Sequence, residues 1–427
     1  MHGWIALCGA VALTLSPGAR AEDRWISAWG TAQQLAPMPP PRLPPRAAGE
    51  ARPAPPPPAT PSPILPTPER LQDQTVRMVI RPTIKGSVWR VQFSNASGGE
   101  PLRIGRATIA KSAQAGAIRA DTSRALSFAG QAGVTIQPGA VVFSDPVALD
   151  VAALELLAVS IHLPDDVAVN TLHPLGLRTS YVAKGDRTGD AALPGADTNR
   201  SYFWLSGLAV QADAKAGTIV AFGDSITDGY GTTPDAGRAW PELLAERLQG
   251  DVRTRHLSVI NMGISGNRVR RDGAGLSALA RFDRDVLARP GVRWVILLEG
   301  INDINFAAIP GIPASEAVTA DDLIAAYSQF IDRAHLHGIK VMGGTIAPTE
   351  GTWLYSEKTE ALRQAVNQWI RSSGKFDALV DFDAVLRDPA RPTRLNPAYD
   401  PGDNVHPNDA GNVAMARAID LVRFRRD

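Results

Sequence analysis

The chain predicts an α/β fold class: a three-layer α/β/α sheet domain of flavodoxin type over residues 215–427, preceded by a β-rich, sandwich-like domain over residues 22–214. Three observations predict it. Short runs rich in Val, Ile and Phe, separated by turn signals, fill Thr75 to about Leu163. After Lys215 the pattern changes to nearly continuous apolar runs alternating with helical stretches, as parallel strands covered on both faces require. At 427 residues the chain exceeds one ordinary domain.

In the first half the candidate strands are Val76–Ile80, Val88–Phe93, Val141–Phe143 and Leu157–Leu163, with Thr179–Val182 and Tyr202–Val210 returning to the same unit. Asn95-Ala96-Ser97-Gly98-Gly99 and Gln137-Pro138-Gly139 supply turns between them. Residues 37–68 are proline-rich. Such a stretch offers few backbone donors and favours an extended, solvated conformation, so it reads as an insertion or linker. In the second half the strands are Thr218–Phe222, Ser258–Met262, Trp294–Leu298, Lys340–Gly343 and Ala378–Asp381. Leu323–Leu336 is the clearest helix. Leu323, Tyr327, Phe330, Ile331 and Ala334 share one face, Asp321 or Asp322 is expected to cap its start, and Gly338 to end it.

Composition narrows the function. The formal charge is +1, and residues 1–21 hold one basic residue, Arg20, and no acidic one, so the remaining chain is balanced. No basic excess argues for a nucleic-acid or anionic-membrane partner. The apolar run Ile5–Leu15 is too short to span a bilayer, and Ala19-Arg20-Ala21 fits a small-x-small cleavage site. Residues 1–21 therefore read as a signal peptide, and a secreted or periplasmic protein without a membrane span is expected. The single cysteine, Cys8, lies within that leader, so no disulfide or thiol chemistry is expected.

Four short segments of the second half carry the chemistry: Gly223-Asp224-Ser225, Gly263-Ile264-Ser265-Gly266-Asn267, Gly300-Ile301-Asn302-Asp303 and Asp403-Asn404-Val405-His406. Open parallel sheets bind ligands beyond the carboxyl ends of their strands, where Ser225 falls. The three-residue step from Asp403 to His406 lets a turn set the carboxylate on Nδ1 and leave Nε2 facing a serine. Each element also has a plainer reading. Ser225 fits a helix N-cap, Gly266 and Asn302 fit turn residues, and Asp403 with His406 fits a structural loop pair. Asp400, Asp403 and His406 imitate a metal set, but the ordered serine site explains them better, so no metal and no cofactor are expected.

These blocks resemble those of the GDSL, or SGNH, hydrolase family over roughly residues 216–427. Asp224–Thr232, Phe376–Leu386 and Gly402–Met415 are similar to the branch that includes xylanase-associated acetylesterases. Trp25–Thr31 and Thr179–Lys184 resemble the N-terminal region of some secreted members. The resemblance implies the sheet order 2-1-3-4-5, Ser225 as nucleophile, His406 as base, Asp403 as its carboxylate, and an oxyanion hole from Ser225, Gly266 and Asn302. Asp224 and Asp303 are then loop supports. The expected function is a serine esterase acting on short-acyl, above all O-acetyl, esters, with acetylated plant polysaccharide as a candidate substrate. A general aryl or short-chain lipid esterase would use the same site. A non-catalytic carbohydrate-binding protein is the competing class. Arg268, Arg270 and Arg271 read as solvated loop residues or substrate contacts, and Trp240 and Trp353 as core or pocket lining. His162, His335 and His337 read as structural or surface residues.

Overall fold

The computed structural model describes residues 24–35, 66–306, 309 and 317–425. The leader expected at 1–21 and nearly all of the proline-rich stretch 37–68 lie outside the described residues.

The N-terminal half carries two larger antiparallel sheets. One orders Arg24–Gly30, Leu205–Ala212, Gly86–Ser94 and Val141–Phe143, with Val147–Val151 also pairing Gly86–Ser94. The other orders Asp197–Asn199, Ser180–Lys184, Gln74–Ile80, Leu157–Leu163, Arg106–Lys111 and Arg124–Ala125. Alternation sets the inward faces. Trp89, Val91 and Phe93 from the first sheet and Val76, Met78 and Ile80 from the second share one buried cluster. Tyr202–Val210, expected as one strand, is two: Trp204, with φ of 55°, leaves the extended region and separates Tyr202–Phe203 from Leu205–Ala212.

Among the described residues the second half contains five parallel strands, β1 (Gly217–Gly223), β2 (Leu257–Gly263), β3 (Val292–Leu298), β4 (Lys340–Gly344) and β5 (Ala378–Val380). Their order is β2-β1-β3-β4-β5, the one the resemblance implied. In β1, Ile219 and Ala221 enter one apolar layer with Trp240 and Leu244, while Val220 and Phe222 enter the opposite layer with Phe282 and Phe330. Both faces are covered, which explains the unbroken apolar run. The helices are α1 (Ser225–Asp228), α2 (Trp240–Gly250), α3 (Ala278–Phe282), α4 (Ile301–Phe306), α5 (Ala320–Leu336), α6 (Glu357–Ser372), α7 (Phe382–Leu386) and α8 (Asp409–Ala418).

Two local expectations change. The cap of α5 is Thr319, not Asp321 or Asp322. Its hydroxyl accepts the Asp322 N–H while the Asp322 carboxylate accepts the Thr319 N–H, a reciprocal capping box. The last strand stops at Val380, because Asp381 turns to cap α7 and accepts the Ala384 N–H. Among the described residues no helix is long and apolar enough to cross a membrane.

The halves meet along a hydrogen-bonded seam. The Ser27 N–H donates to Pro290 O at 2.9 Å, and Ser27 O accepts the Thr218 and Ser258 hydroxyls at 3.0 and 2.5 Å. The Thr83 hydroxyl donates to Val259 O and accepts the Val259 N–H, each at 2.9 Å. Buried Arg178 pairs with Glu242 of α2 at 2.8 Å. A Cβ on Gly30 would stand 2.6 Å from Met262 Cε, so the first strand lies tight against β2.

Candidate active site

The site is built where β1 and β3 end. Gly223 closes β1 without a side chain because a Cβ there would fall 2.1 Å from Thr227 Oγ1 and 2.5 Å from Leu298 O. The next residue, Asp224, is the N-cap of α1, its carboxylate accepting the Ile226 N–H at 3.0 Å. Ser225 is thus the first helical residue and not the cap, which leaves its hydroxyl for other work. That hydroxyl lies 2.8 Å from His406 Nε2.

His406 is set by the turn before α8. Asp403 Oδ1 accepts the N–H groups of Val405 and His406, both at 2.9 Å, while Oδ2 lies 2.7 Å from His406 Nδ1. Asn404, with φ of 63°, makes the turn tight enough. Burial alone would raise the Asp403 pKa, but the imidazole and the two backbone donors hold it below the usual carboxylate range. An ionised carboxylate at Nδ1 fixes the ring proton there and leaves the Nε2 lone pair toward Ser225. Asp400 is spent on the same turn, accepting the Gly402 and Asn404 N–H groups.

The second block forms the loop after β2. Ile264 N–H donates to Gly223 O at 3.0 Å, and Gly266 adopts φ of 78°. Asn302, at the start of α4, donates from Nδ2 to Asn267 O at 2.9 Å, which binds the third block to the second. Asp303 braces the same loop by accepting the Val269 N–H at 2.7 Å and the Arg270 N–H at 3.3 Å. Among the described residues no acceptor takes the N–H of Ser225 or of Gly266. Those two donors and the second N–H of Asn302 Nδ2 remain for a ligand.

Beneath the loops lies a charge cluster that the sequence reading missed. Arg281 is fully buried. It donates to Asn267 Oδ1 at 2.8 Å, Met262 O at 2.7 Å, Gly223 O at 2.9 Å, Asp285 Oδ2 at 3.2 Å and Glu299 Oε1 at 3.2 Å. One guanidinium therefore ties the ends of β1 and β2 to the end of β3. Burial, with mutual repulsion, pushes the Asp224 and Glu299 carboxyls up, and burial pushes Asp303 up to about 6. Asp224 and Asp303 belong to the blocks already named, and Glu299 directly precedes Gly300 of the third block; Arg281 carries no motif.

A second missed group lies behind α1. Asp228, its last residue, sits 2.9 Å from His173 Nε2, and both side chains are buried. Asp228 falls within the stretch Asp224–Thr232, but nothing local marks its partner, because His173 belongs to the other half of the chain. Near the entrance, Tyr230 is 47% exposed with its ring centroid 4.4 Å from that of His406.

Other candidates resolve differently. Trp240 is fully buried in the core against Phe382. Trp353 is half exposed, on a loop whose Gly351 abuts Asn404. Arg270 pairs with Asp322 at 2.9 Å, and Arg268 donates to Asp272 O at 2.5 Å. His162 pairs with Asp73, and His335 with Asp377.

Residues 221–414 match the GDSL-like Lipase/Acylhydrolase family. No curated protein sequence matches the chain. Solved structures similar to it include the acetyl xylan esterase Axe2 from Geobacillus stearothermophilus, as a variant, with 25% identity over 49% of this chain and 96% of that one and a TM-score of 0.38. A GDSL-like lipase from Bacteroides thetaiotaomicron shows 21% identity over 48% and 87%, TM-score 0.36. LAE5, an alpha/beta hydrolase from the metagenome of Lake Arreo, shows 22% over 49% and 95%, TM-score 0.38.

Proposed function

From the premise that residues 221–414 belong to the GDSL-like lipase/acylhydrolase family and form a carboxylic ester hydrolase domain, we propose that this chain is a metal-independent serine esterase using Ser225, His406 and Asp403. The observation that carries the reading is the continuous relay from Ser225 Oγ to His406 Nε2 at 2.8 Å and from Nδ1 to Asp403 at 2.7 Å.

In this mechanism the Ser225 hydroxyl attacks the ester carbonyl while His406 Nε2 takes its proton. The oxygen that gains negative charge meets the N–H groups of Ser225 and Gly266 and the Asn302 amide. Each such donor supports the transition state by about 3–4 kcal/mol. His406 then protonates the leaving alcohol. A water deprotonated by the same nitrogen attacks the acyl-enzyme and releases the acid. Asp403 holds the tautomer and balances the imidazolium charge.

The substrate reading is a short-acyl, above all O-acetyl, ester, with acetylated plant polysaccharide as the candidate natural source. The stretches Asp224–Thr232, Phe376–Leu386 and Gly402–Met415 support it. The half-exposed Tyr230 beside His406 offers an aromatic face to a sugar ring at the entrance. We read the two N-terminal sheets as a sandwich domain ending near residue 214, and the leader at 1–21 as directing export.

Ser225→Ala tests the site. It should lower kcat on the order of 10⁴-fold or more while the protein stays folded; undiminished turnover would end the nucleophile assignment. A panel of acetyl, butyryl and octanoyl aryl esters beside acetylated xylan and pectin tests the substrate. Brisk aryl acetate turnover with no acetate released from xylan or pectin would leave a general short-chain esterase.

A further inference from the structure

We propose that His173, supplied by the β-rich half, is a positioning residue of the esterase site: as a buried imidazolium it clamps Asp228, and through Asp228 it fixes the Ser265–Gly266 peptide that offers the second oxyanion donor. The inference rests on the Ser225 reading above.

The charge state follows from the partners. His173 Nδ1 lies 2.8 Å from Ala32 O, and a carbonyl can only accept, so Nδ1 carries a hydrogen. Nε2 lies 2.9 Å from Asp228 Oδ1 and 3.1 Å from Leu175 O, so it too faces only acceptors. Both nitrogens donate, and the ring is cationic. Burial alone would lower its pKa, but the charge of Asp228 and these hydrogen bonds raise it above the ordinary histidine value. His173 is 4% and Asp228 3% exposed, so the pair is shielded from solvent and salt.

The clamp reaches the chemistry through the other carboxylate oxygen. Asp228 Oδ2 accepts both the backbone N–H of Ser265, at 3.0 Å, and its hydroxyl, at 2.8 Å. Gly266, with its free N–H and φ of 78°, is the next residue. Asp228 itself cannot move away. A Cβ on Gly263 would lie 2.3 Å from its N atom, and Asn261 Nδ2 donates to Thr227 O at 2.8 Å and Asp228 O at 3.3 Å. One carboxylate thus sets the helix bearing the nucleophile against the loop bearing the oxyanion donor, and its counter-charge comes from the other half of the molecule.

The pair also has an electrostatic role. A lone carboxylate bonded to Ser265, the residue before Gly266, would oppose the negative charge that develops on the substrate oxygen, and His173 cancels it. A cavity of about 60 Å³, lined also by Arg81, Arg178 and Glu242, borders His173 and Asp228, and Ser225 and His406 do not line it. A neutral side chain at 173 therefore leaves Asp228 facing a polar space in which Arg81 and Arg178 are already paired, with Glu246 and Glu242.

The test is steady-state hydrolysis of an aryl acetate by His173→Gln and Asp228→Asn in the full chain, with folding checked by circular dichroism and thermal midpoint. His173→Gln should lower kcat on the order of 10- to 100-fold, as loss of an orienting partner does, with KM within about twofold. A merely structural role would lower the midpoint and leave kcat per folded molecule unchanged, and that result overturns the proposal. Should His173→Gln not fold, Asp228→Asn decides the matter: wild-type kcat in it overturns the clamp, and a comparable loss supports it. Ser225→Ala, assayed alongside, answers separately for the nucleophile. Its loss of turnover beside wild-type kcat in folded His173→Gln overturns the positioning role alone, whereas retained turnover in Ser225→Ala overturns both readings.

Discussion

Two carboxylate–imidazole pairs flank the short helix that begins at Ser225, and they are wired in opposite ways. In the Asp403–His406 pair one nitrogen is held by the carboxylate and the other faces a hydroxyl that can give up its proton. In the Asp228–His173 pair both nitrogens face acceptors, and both side chains are buried. The first ring keeps a lone pair at Nε2 and can act as a base. The second has none to offer and can only hold charge in place. An Asp–His pair is therefore assigned by what the far nitrogen meets, not by the pair itself.

The sharpest way to break this contrast is to remove each ring. His406→Ala removes the base and should lower kcat on the order of 10⁴- to 10⁶-fold. Asp403→Ala leaves a base in the wrong tautomer part of the time and should lose about 10- to 100-fold less. Steady-state kinetics on an aryl acetate rank the two, and Asp403→Ala falling below His406→Ala would reverse their roles.

A smaller effect is expected where the two pairs converge, at Gly266. An alanine there must keep a positive φ that L residues rarely adopt, and its Cβ would stand 3.0 Å from that of Ala274. The loop would shift and the N–H would miss the oxyanion. We expect Gly266→Ala to lower kcat on the order of 10²- to 10³-fold, the loss of one donor. An alanine variant with wild-type kcat would remove Gly266 from the oxyanion hole.

The contrast also explains what could be read in advance. Strands such as Trp294–Leu298 are legible because parallel strands buried on both faces are apolar throughout. The Ser225, Gly266, Asn302 and His406 blocks are legible because strand-end chemistry is local in sequence. His173 was not, since its partners lie at Ala32 and Asp228, 141 and 55 residues away. Arg281 was hidden for a related reason: it holds three strand ends at once, and no local pattern marks a side chain whose acceptors, backbone and side chain alike, come from several separate segments. The cap of α5 was misplaced by two or three residues because Asp321, Asp322 and Thr319 can all cap, and only the three-residue step from Thr319 to Asp322 closes a reciprocal pair.

The smallest effect distinguishes the pairs by the sign of their pH dependence. The folded state keeps on His173 a proton that the unfolded chain releases above about pH 6.5. From there upward the native state binds more protons than the unfolded one, so stability falls as pH rises until the buried ring also deprotonates. Below that pH the contribution is fully present. Asp403 has the opposite sign: its depressed pKa supports the fold above about pH 3.9 and is lost as pH falls. The groups facing His173 are Asp228 from α1, Tyr202 stacked beside it, and Arg81, Arg178, Arg238 and Glu242 across the cavity. Burial pushes the Tyr202 phenol up and out of the window, and the Glu242 carboxylate beside Arg178 holds that guanidinium above its ordinary value. Urea denaturation of wild type and His173→Gln between pH 6 and pH 9 isolates the ring. The stability gap between them should narrow as pH climbs, because only the wild type has a proton to lose there. A gap of constant size would mean that the ring carries no charge to lose, and the buried pair would then be a neutral hydrogen bond and no longer the counterpart of the one at Ser225.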